Sequence, residues 1–341
     1  MCVHQHHHSV IETMKLQQYM DMQKMVQRFI DEALSESQRC KYPECCEVAI
    51  ASHVLQKEGP LRRIASTDGK VMCVDKLRGL LKYARRMHDA ECIVPPELSK
   101  VGIGDATTYP GFCKHHDGEV FRSIECGDPL RIGNQEQLVA LYRRVFFYMM
   151  HISEQYLRIG EKLAEECDNN ALREMRRVLI PDYIALATEF LPRTWSNNLA
   201  GNLKYEWRII KRNVGVACAS RILVDSVKSY EIAARPFTTF SLIPECNKTH
   251  AILIWDSCFD DKMQSLKCQM GSNVAAELSR TLNELTFAKG TDYCISPDLW
   301  QSLSEEEHSI VHETLRNNVI RKNSSNIPNI IMFSDNDLIA C

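Results

Sequence analysis

Several features that commonly identify the class of a protein are missing from this sequence. The chain contains no C-x-x-C pair although it has 15 cysteines, so a thiolate metal site must use other spacings. It has no apolar run approaching the about 20 residues that cross a bilayer, and no basic start followed by an apolar block. It also lacks a glycine-rich phosphate loop and a G-x-S-x-G elbow. We therefore expect a cytoplasmic protein without membrane contact.

Positively and negatively charged residues are nearly balanced in number. The net charge is -3 with 25% charged residues, which provides no global attraction to nucleic acid. An apolar fraction of 45% is typical of globular proteins, and a length of 341 residues predicts two or three packed units. The cysteines are odd in number and irregularly spaced, which favours free thiols in a reducing compartment, with a subset serving as metal ligands.

Changes of pattern along the chain predict an α+β fold in four units. Residues 1–36 contain an N-terminal helix, because apolar residues recur there at helical spacing. Residues 37–132 are rich in Cys, Gly, Pro and His, which predicts a loop-rich unit stabilised by zinc. Residues 133–194 form a long antiparallel helical hairpin, and residues 195–341 form an antiparallel sheet with helices.

The prediction of the last two units is based on regular patterns of apolar residues. A four-three step of apolar residues runs over 134–167 and is repeated up to Pro192. Four short segments after Trp195 are rich in β-branched and aromatic residues, and the turn "PECNKT" (244–249) predicts that the last two pair antiparallel. The four segments are "KYEWRIIKR", "VGVACASRILV", "FTTFSLIP" and "HAILIWDS".

Two pairs of soft ligands lie in the loop-rich unit. Cys40 and Cys45 are spaced C-x4-C around Pro43, and Cys113 and His116 are spaced C-x2-H in "GFCKHH". Zinc prefers thiolate sulfur and imidazole nitrogen in a tetrahedron of four ligands. The two pairs therefore predict a structural Zn²⁺ site whose ion closes the intervening segment into a loop.

The spacing leaves three assignments open. Cys46 is an alternative ligand to Cys45, and His115 is an alternative to His116. His53, which follows eight residues after Cys45, is a candidate either for a zinc ligand or for a general base.

The strings "AIASHVLQKEGPLRRIA" (49–65) and "GFCKHHDGEVF" (111–121) resemble those of a group of uncharacterised bacterial proteins. The resemblance covers about the first third of the chain well, and it implies a bacterial or phage origin and a shared site. A cysteine turn followed by an Ala/Ser-His-Val segment is also distantly similar to the treble-clef fingers of HNH-type nucleases.

That second similarity implies particular roles. Cys40, Cys45, Cys113 and His116 would hold a structural zinc, and His53 would be the catalytic histidine. The family also uses an asparagine and a second histidine, whereas residues 54–112 contain no asparagine and only His88. Asp117 or Asp105 would then have to supply an oxygen ligand for Mg²⁺.

A basic stretch lies beside these motifs. Residues 57–86 carry nine basic side chains, and only four acids lie between Gln56 and Ala90. Four of the basic residues share one side of a predicted helix over 76–89, which suggests contact with phosphate groups, although a solvated helix face is the commoner meaning of this pattern. These four are Arg78, Lys82, Arg85 and Arg86.

The long helix contributes two further possibilities. Its heptad face leaves a homodimer open, and Arg144 with His151 resembles the Arg-x4-6-His element of HEPN-type ribonucleases. A core helix explains the same residues. Taken together, the sequence favours an intracellular zinc-binding protein whose metal unit supports a recognition surface for nucleic acid or a protein partner. The alternative is a metal-dependent, HNH-like nuclease of bacterial defence or toxin type that uses His53 and Asp117.

Overall fold

The computed structural model describes residues 38–74, 98–166, 183–222, 237–290, 292–319 and 327–339, with positions 28, 180 and 224. Almost all of the predicted N-terminal helix, the basic helix over 76–89 and residues 167–179 of the predicted hairpin fall outside these ranges. The hairpin therefore stays a prediction. The described residues form a mixed α+β structure with an antiparallel sheet, which confirms the predicted class.

The strands of the described ranges alternate with helices of very different length. The strands are β1 (Ala51–His53), β2 (Lys70–Val74), β3 (Leu98–Gly102), β4 (Thr108–Pro110), β5 (Leu203–Ile210), β6 (Val216–Ile222), β7 (Thr238–Pro244), β8 (Thr249–Asp256), β9 (Tyr293–Ile295) and β10 (Leu338–Ile339). The α-helices and α-helical turns of at least four residues are α1 (Lys114–Val120), α2 (Arg122–Glu125), α3 (Gln135–Glu166), α4 (Leu191–Thr194), α5 (Leu199–Asn202), α6 (Gln264–Met270), α7 (Ala275–Asn283), α8 (Pro297–Ser302) and α9 (Glu305–Val319). Shorter or irregular helical segments cover Lys57–Leu61, Arg62–Ile64, Leu186–Phe190, Ser257–Met263, Glu284–Lys289 and Asp335–Asp337.

One large antiparallel sheet has the strand order β10-β5-β8-β7-β6-β9-β2-β3 within the described residues. Its strands β5 to β8 coincide with the four segments that the sequence predicted. The pairing of β7 with β8 across "PECNKT" is confirmed, with Pro244 opposite Thr249. The strands β6, β7 and β8 are buried along their whole length, as expected for strands covered on both faces.

The two faces of the sheet contact different helices. Ile252 and Ile254 of β8 belong to the same apolar cluster as α3. Leu253 and Trp255 belong to the cluster that contains α6 and α7. This alternation follows from the two-residue period of a strand, and it gives the described part of the molecule three layers.

Strands from the loop-rich region also join the large sheet. β9 pairs with β6 on one side and with β2 on the other, so that Ile295 lies opposite both Val216 and Met72. β3 then completes this edge. The sheet thus takes strands from both sides of the division at residue 132, because pairing between strands so distant in sequence leaves no local signal.

Candidate metal centre

The first half of the centre is a tight hairpin around Cys40 and Cys45. Its arms are joined by a bridge between Arg39 and Val48. The Cys45 amide donates a hydrogen bond to the Tyr42 carbonyl at 3.2 Å. Pro43 therefore occupies the second position of a β-turn, and Glu44 at the third position has φ of +63°. This is the signature of a type II turn, which folds the chain back so that both thiols lie on the same side.

The second half begins where β4 ends. β4 pairs antiparallel with β1 in a separate two-stranded sheet. Cys113 precedes the first residue of α1, and His116 lies in the first turn of that helix. Two hydrogen bonds join the halves: Lys41 N–H to the Gly111 carbonyl at 2.9 Å, and Ile50 N–H to the Phe112 carbonyl at 2.7 Å. The backbone therefore brings the two predicted ligand pairs together.

The four predicted ligands converge on one point. One ligand atom from each of Cys40, Cys45, Cys113 and His116 lies within 4.8 Å of the others. His116 Nδ1 is 3.5 Å from Cys40 Sγ and 3.2 Å from Cys113 Sγ. A tetrahedral zinc with Zn–S of about 2.3 Å and Zn–N of about 2.0–2.1 Å separates sulfur from nitrogen by about 3.6 Å. The group could hold a metal ion, and its donor set suits Zn²⁺.

Burial decides between the neighbouring residues that spacing left open. Cys46 is exposed and lies outside the group, with its sulfur 3.9 Å from the Glu44 carbonyl. The side chain of His115 is 76% exposed and faces Glu119 at 3.6 Å. Cys45 and His116 are therefore the members that the structure selects. His115, His116 and Glu119 form a second, exposed group of ligand atoms on the surface of α1.

Aromatic packing fixes the histidine ligand. The Tyr42 ring stacks on the His116 ring with centroids 3.8 Å apart and planes 1° apart. Trp195 contacts Tyr42 edge-on at 5.1 Å. Phe112, which is fully buried, packs against Phe147 of α3 at 4.9 Å. The candidate metal centre is thus packed against the long helix α3.

Polar contacts attach the hairpin to the same helix. Lys41 forms an ion pair with Glu154 at 2.8 Å. The Gln38 side-chain oxygen contacts His151 Nδ1 at 3.2 Å. Burial, together with the charge of Lys41, lowers the pKa of His151 to about 4, so its ring is neutral at pH 7.

The surroundings of Cys113 favour the protonated form of its thiol. The backbone N–H of His116 favours its thiolate, but burial and the neighbouring Glu47 and Cys40 outweigh that effect and raise the pKa of Cys113 to about 11. A thiol at such a position becomes a thiolate only when a cation replaces its proton.

The structure does not support the expected catalytic pairing of His53 with Asp117. Ser52 donates a hydrogen bond to Asp117 Oδ1 at 2.5 Å. Successive strand residues point to opposite faces, so the ring of His53 lies on the other face of β1, where Nε2 contacts the Ile103 carbonyl at 3.2 Å. Burial lowers the pKa of His53 although that carbonyl opposes the shift. His53 is also not among the four grouped ligands.

The described residues give little support to the expected binding of nucleic acid. Arg78, Lys82, Arg85 and Arg86 lie outside them. Of the described basic residues in this stretch, Arg62 pairs with Glu58 at 2.9 Å and Lys70 with Asp68 at 3.3 Å. Local acids therefore already neutralise these two cations.

The HEPN-like pair on the long helix is placed in the interior. Arg144 forms an ion pair with Glu125, and His151 contacts Gln38. Both residues are buried, at 4% and 2% exposure. They support packing around the metal unit, and neither faces an open helix seam.

These observations define an α+β protein with a candidate Cys₃His metal centre. A scan of protein-family models gives no match, and searches among curated proteins and solved structures find no similar protein either. The resemblances drawn from sequence strings therefore stay predictions. Across the described part of the chain, no helix combines the length and apolarity needed to span a bilayer.

Proposed function

We propose that this chain is a zinc-binding protein whose ion stabilises the fold and thereby holds a surface that a protein partner recognises. The observation that carries the proposal is the convergence of four thiolate and imidazole donors within 4.8 Å. A site closed by four protein ligands is typical of structural zinc, whereas catalytic zinc keeps one position open for water.

The structural role is further supported by the position of the donors. Cys40 and Cys113 are 6% and 2% exposed, so two of the four donors are buried, while Cys45 and His116 are partly exposed. The two ligand pairs also join backbone segments far apart in sequence. A metal at this point would cross-link the hairpin to α1.

A protein partner is favoured over nucleic acid by the surface next to the hairpin. Val48 and Ile50 are 61% and 42% exposed, and residues two apart in an extended segment share a face. The charged side chains at the nearby groove have both signs, with Glu47 and Glu119 beside Lys114 and Arg122. Nucleic-acid surfaces are instead dominated by cations.

Elemental analysis tests the metal assignment. A chain that begins after residue 9 avoids the histidines at positions 4 and 6–8, and dialysis removes weakly held ions. We expect one zinc per chain in the wild type and in Cys46→Ser, and none in Cys45→Ser or Cys113→Ser. Zinc should likewise stay bound in His115→Gln and be lost in His116→Gln.

Other outcomes would contradict the proposal. Zinc that survives both Cys45→Ser and Cys113→Ser would assign the ion elsewhere, for example to the exposed group on α1. The partner surface is tested with a photo-crosslinking residue at position 48. Val274, which is 50% exposed, provides the control position. Equal crosslinking from both positions would contradict a surface centred on the hairpin.

The nuclease hypothesis receives no comparable support. It requires a base next to a hard-ligand carboxylate, and the side chains of His53 and Asp117 lie on opposite faces of β1.

A further inference from the structure

A cavity of about 640 Å³ lies where the metal unit, the long helix and the large sheet meet. This volume falls within the about 300–1,000 Å³ of typical small-molecule sites. Its apolar wall includes Val54, Leu55, Leu141, Val145, Ala219 and Ile243. Ala219 and Ser241 are direct partners across β6 and β7, and their small side chains leave the space open.

Eight charged side chains line the cavity, four acidic and four basic, and Arg144 is the buried one among them. Arg144 lies between Leu141 and Val145 on the same face of α3, and it lines the cavity. Its side chain is only 5% exposed and is held by an ion pair with Glu125. Its guanidinium carbon lies 4.5 Å from the centroid of the Phe121 ring. The guanidinium is therefore fixed in place before any ligand arrives.

The donor capacity of Arg144 is not fully used. Within the described residues its Nε has no hydrogen-bond partner although the atom is buried. Buried donors without an acceptor are rare. Glu125 occupies a terminal nitrogen, whereas a guanidinium offers five N–H groups. The guanidinium therefore keeps donors for a further acceptor oxygen beside the existing ion pair.

We propose that this cavity binds a small monocarboxylic acid with an apolar tail. The carboxylate accepts a hydrogen bond from the Arg144 guanidinium, and the tail lies against the apolar side chains of the sheet and the helix. A carboxylate is favoured over a neutral oxygen because hydrogen bonds between ionised groups are roughly twice as strong. The metal ligands do not line the cavity, so this inference stands independently of the zinc assignment.

Matched probes test the inference on the full metal-loaded chain. Octanoate and octan-1-ol have the same tail and differ in the charged group. In isothermal titration calorimetry we expect octanoate to bind once per chain and about tenfold or more tighter than octan-1-ol. Arg144→Lys, which keeps a positive charge but removes the fixed guanidinium donors, should bring the two affinities closer together.

A cavity-filling variant locates the tail. Ser241→Leu should weaken both probes about tenfold or more, because its side chain occupies the space next to Ala219. Ser302→Leu at an exposed position of α8 is the matched control and should bind as the wild type does. Circular dichroism and zinc content report whether each variant folds. If Ser241→Leu does not fold, Arg144→Lys alone decides.

Four results would overturn the inference. They are the absence of saturable octanoate binding, equal affinity for the two probes in the wild type, an undiminished preference for octanoate in Arg144→Lys, and unchanged binding in a folded Ser241→Leu variant. Failure of zinc loading with normal octanoate binding would instead contradict only the proposed metal function.

Discussion

Removing the metal is expected to loosen the backbone next to the four ligands while the central strands of the large sheet stay folded. Cys40 and His116 are 76 positions apart, so an ion bound to both acts as a cross-link. In the chain-entropy treatment of cross-links, a closed loop of about 76 residues contributes about 4.5 kcal/mol at 25 °C. Whole domains are stable by only about 5–15 kcal/mol, so this is a large effect.

Hydrogen exchange followed by mass spectrometry measures the effect locally. After removal of the metal with a chelator, amides in residues 38–53 and 108–125 should lose protection by roughly a thousandfold, because about 1.4 kcal/mol corresponds to a factor of ten. Amides in β7 and β8 should change far less, since both strands lie inside the sheet. Cys46→Ser should respond as the wild type does, because its thiol is outside the group.

The reasoning would be refuted in either of two ways. A change of less than about tenfold in the ligand segments would mean that the metal is not structural. Equal loss of protection in β7 and β8 would mean that the metal supports the whole fold and not its own segment.

Three further substitutions probe the surroundings of the centre. Tyr42→Leu removes the ring stacked on the His116 ligand and should speed zinc release to a chromogenic chelator about two- to tenfold; an unchanged rate would argue against the stacking role. Phe112→Ala empties a fully buried site and should cost about 3–5 kcal/mol in urea unfolding; a loss below about 1 kcal/mol would contradict this. The pKa of His151 is lowered to about 4 in the folded chain. The contribution of its neutral ring to the free energy of unfolding is therefore complete above the unfolded pKa of about 6.5 and is lost as pH falls. From pH 7 to pH 5 the wild type should therefore lose up to about 2 kcal/mol more stability than His151→Gln, and parallel pH profiles would refute that assignment.

Local sequence patterns predicted the elements that depend on local chemistry. The heptad step identified α3, and β-branched runs closed by "PECNKT" identified β7 and β8. Patterns did not predict that β2 and β3 join the sheet through β9. Strands of three to five residues carry little periodicity, and their partners lie far along the chain.

The candidate site was likewise predicted only in part from the sequence. Spacing alone proposed Cys40 and Cys113, but the choice of Cys45 over Cys46 and of His116 over His115 depended on the local conformation, which leaves the Cys46 and His115 side chains exposed. The stacking of Tyr42 on His116 was not foreseen, although "CKYPEC" contains the aromatic residue between the two cysteines. The cavity beside Arg144 was also missed, because it forms only where three distant segments meet.

The position of β9 has a consequence for synthesis of the chain on the ribosome. β9 lies between β6 and β2, so the N-terminal strands can attach only after residues 293–295 have emerged. Until then β2 and β6 each present an open edge, to which other chains can add. Contacts of such long sequence separation slow folding. We therefore expect β2 and β3 to be among the last strands to join the sheet, although they are the first to be translated.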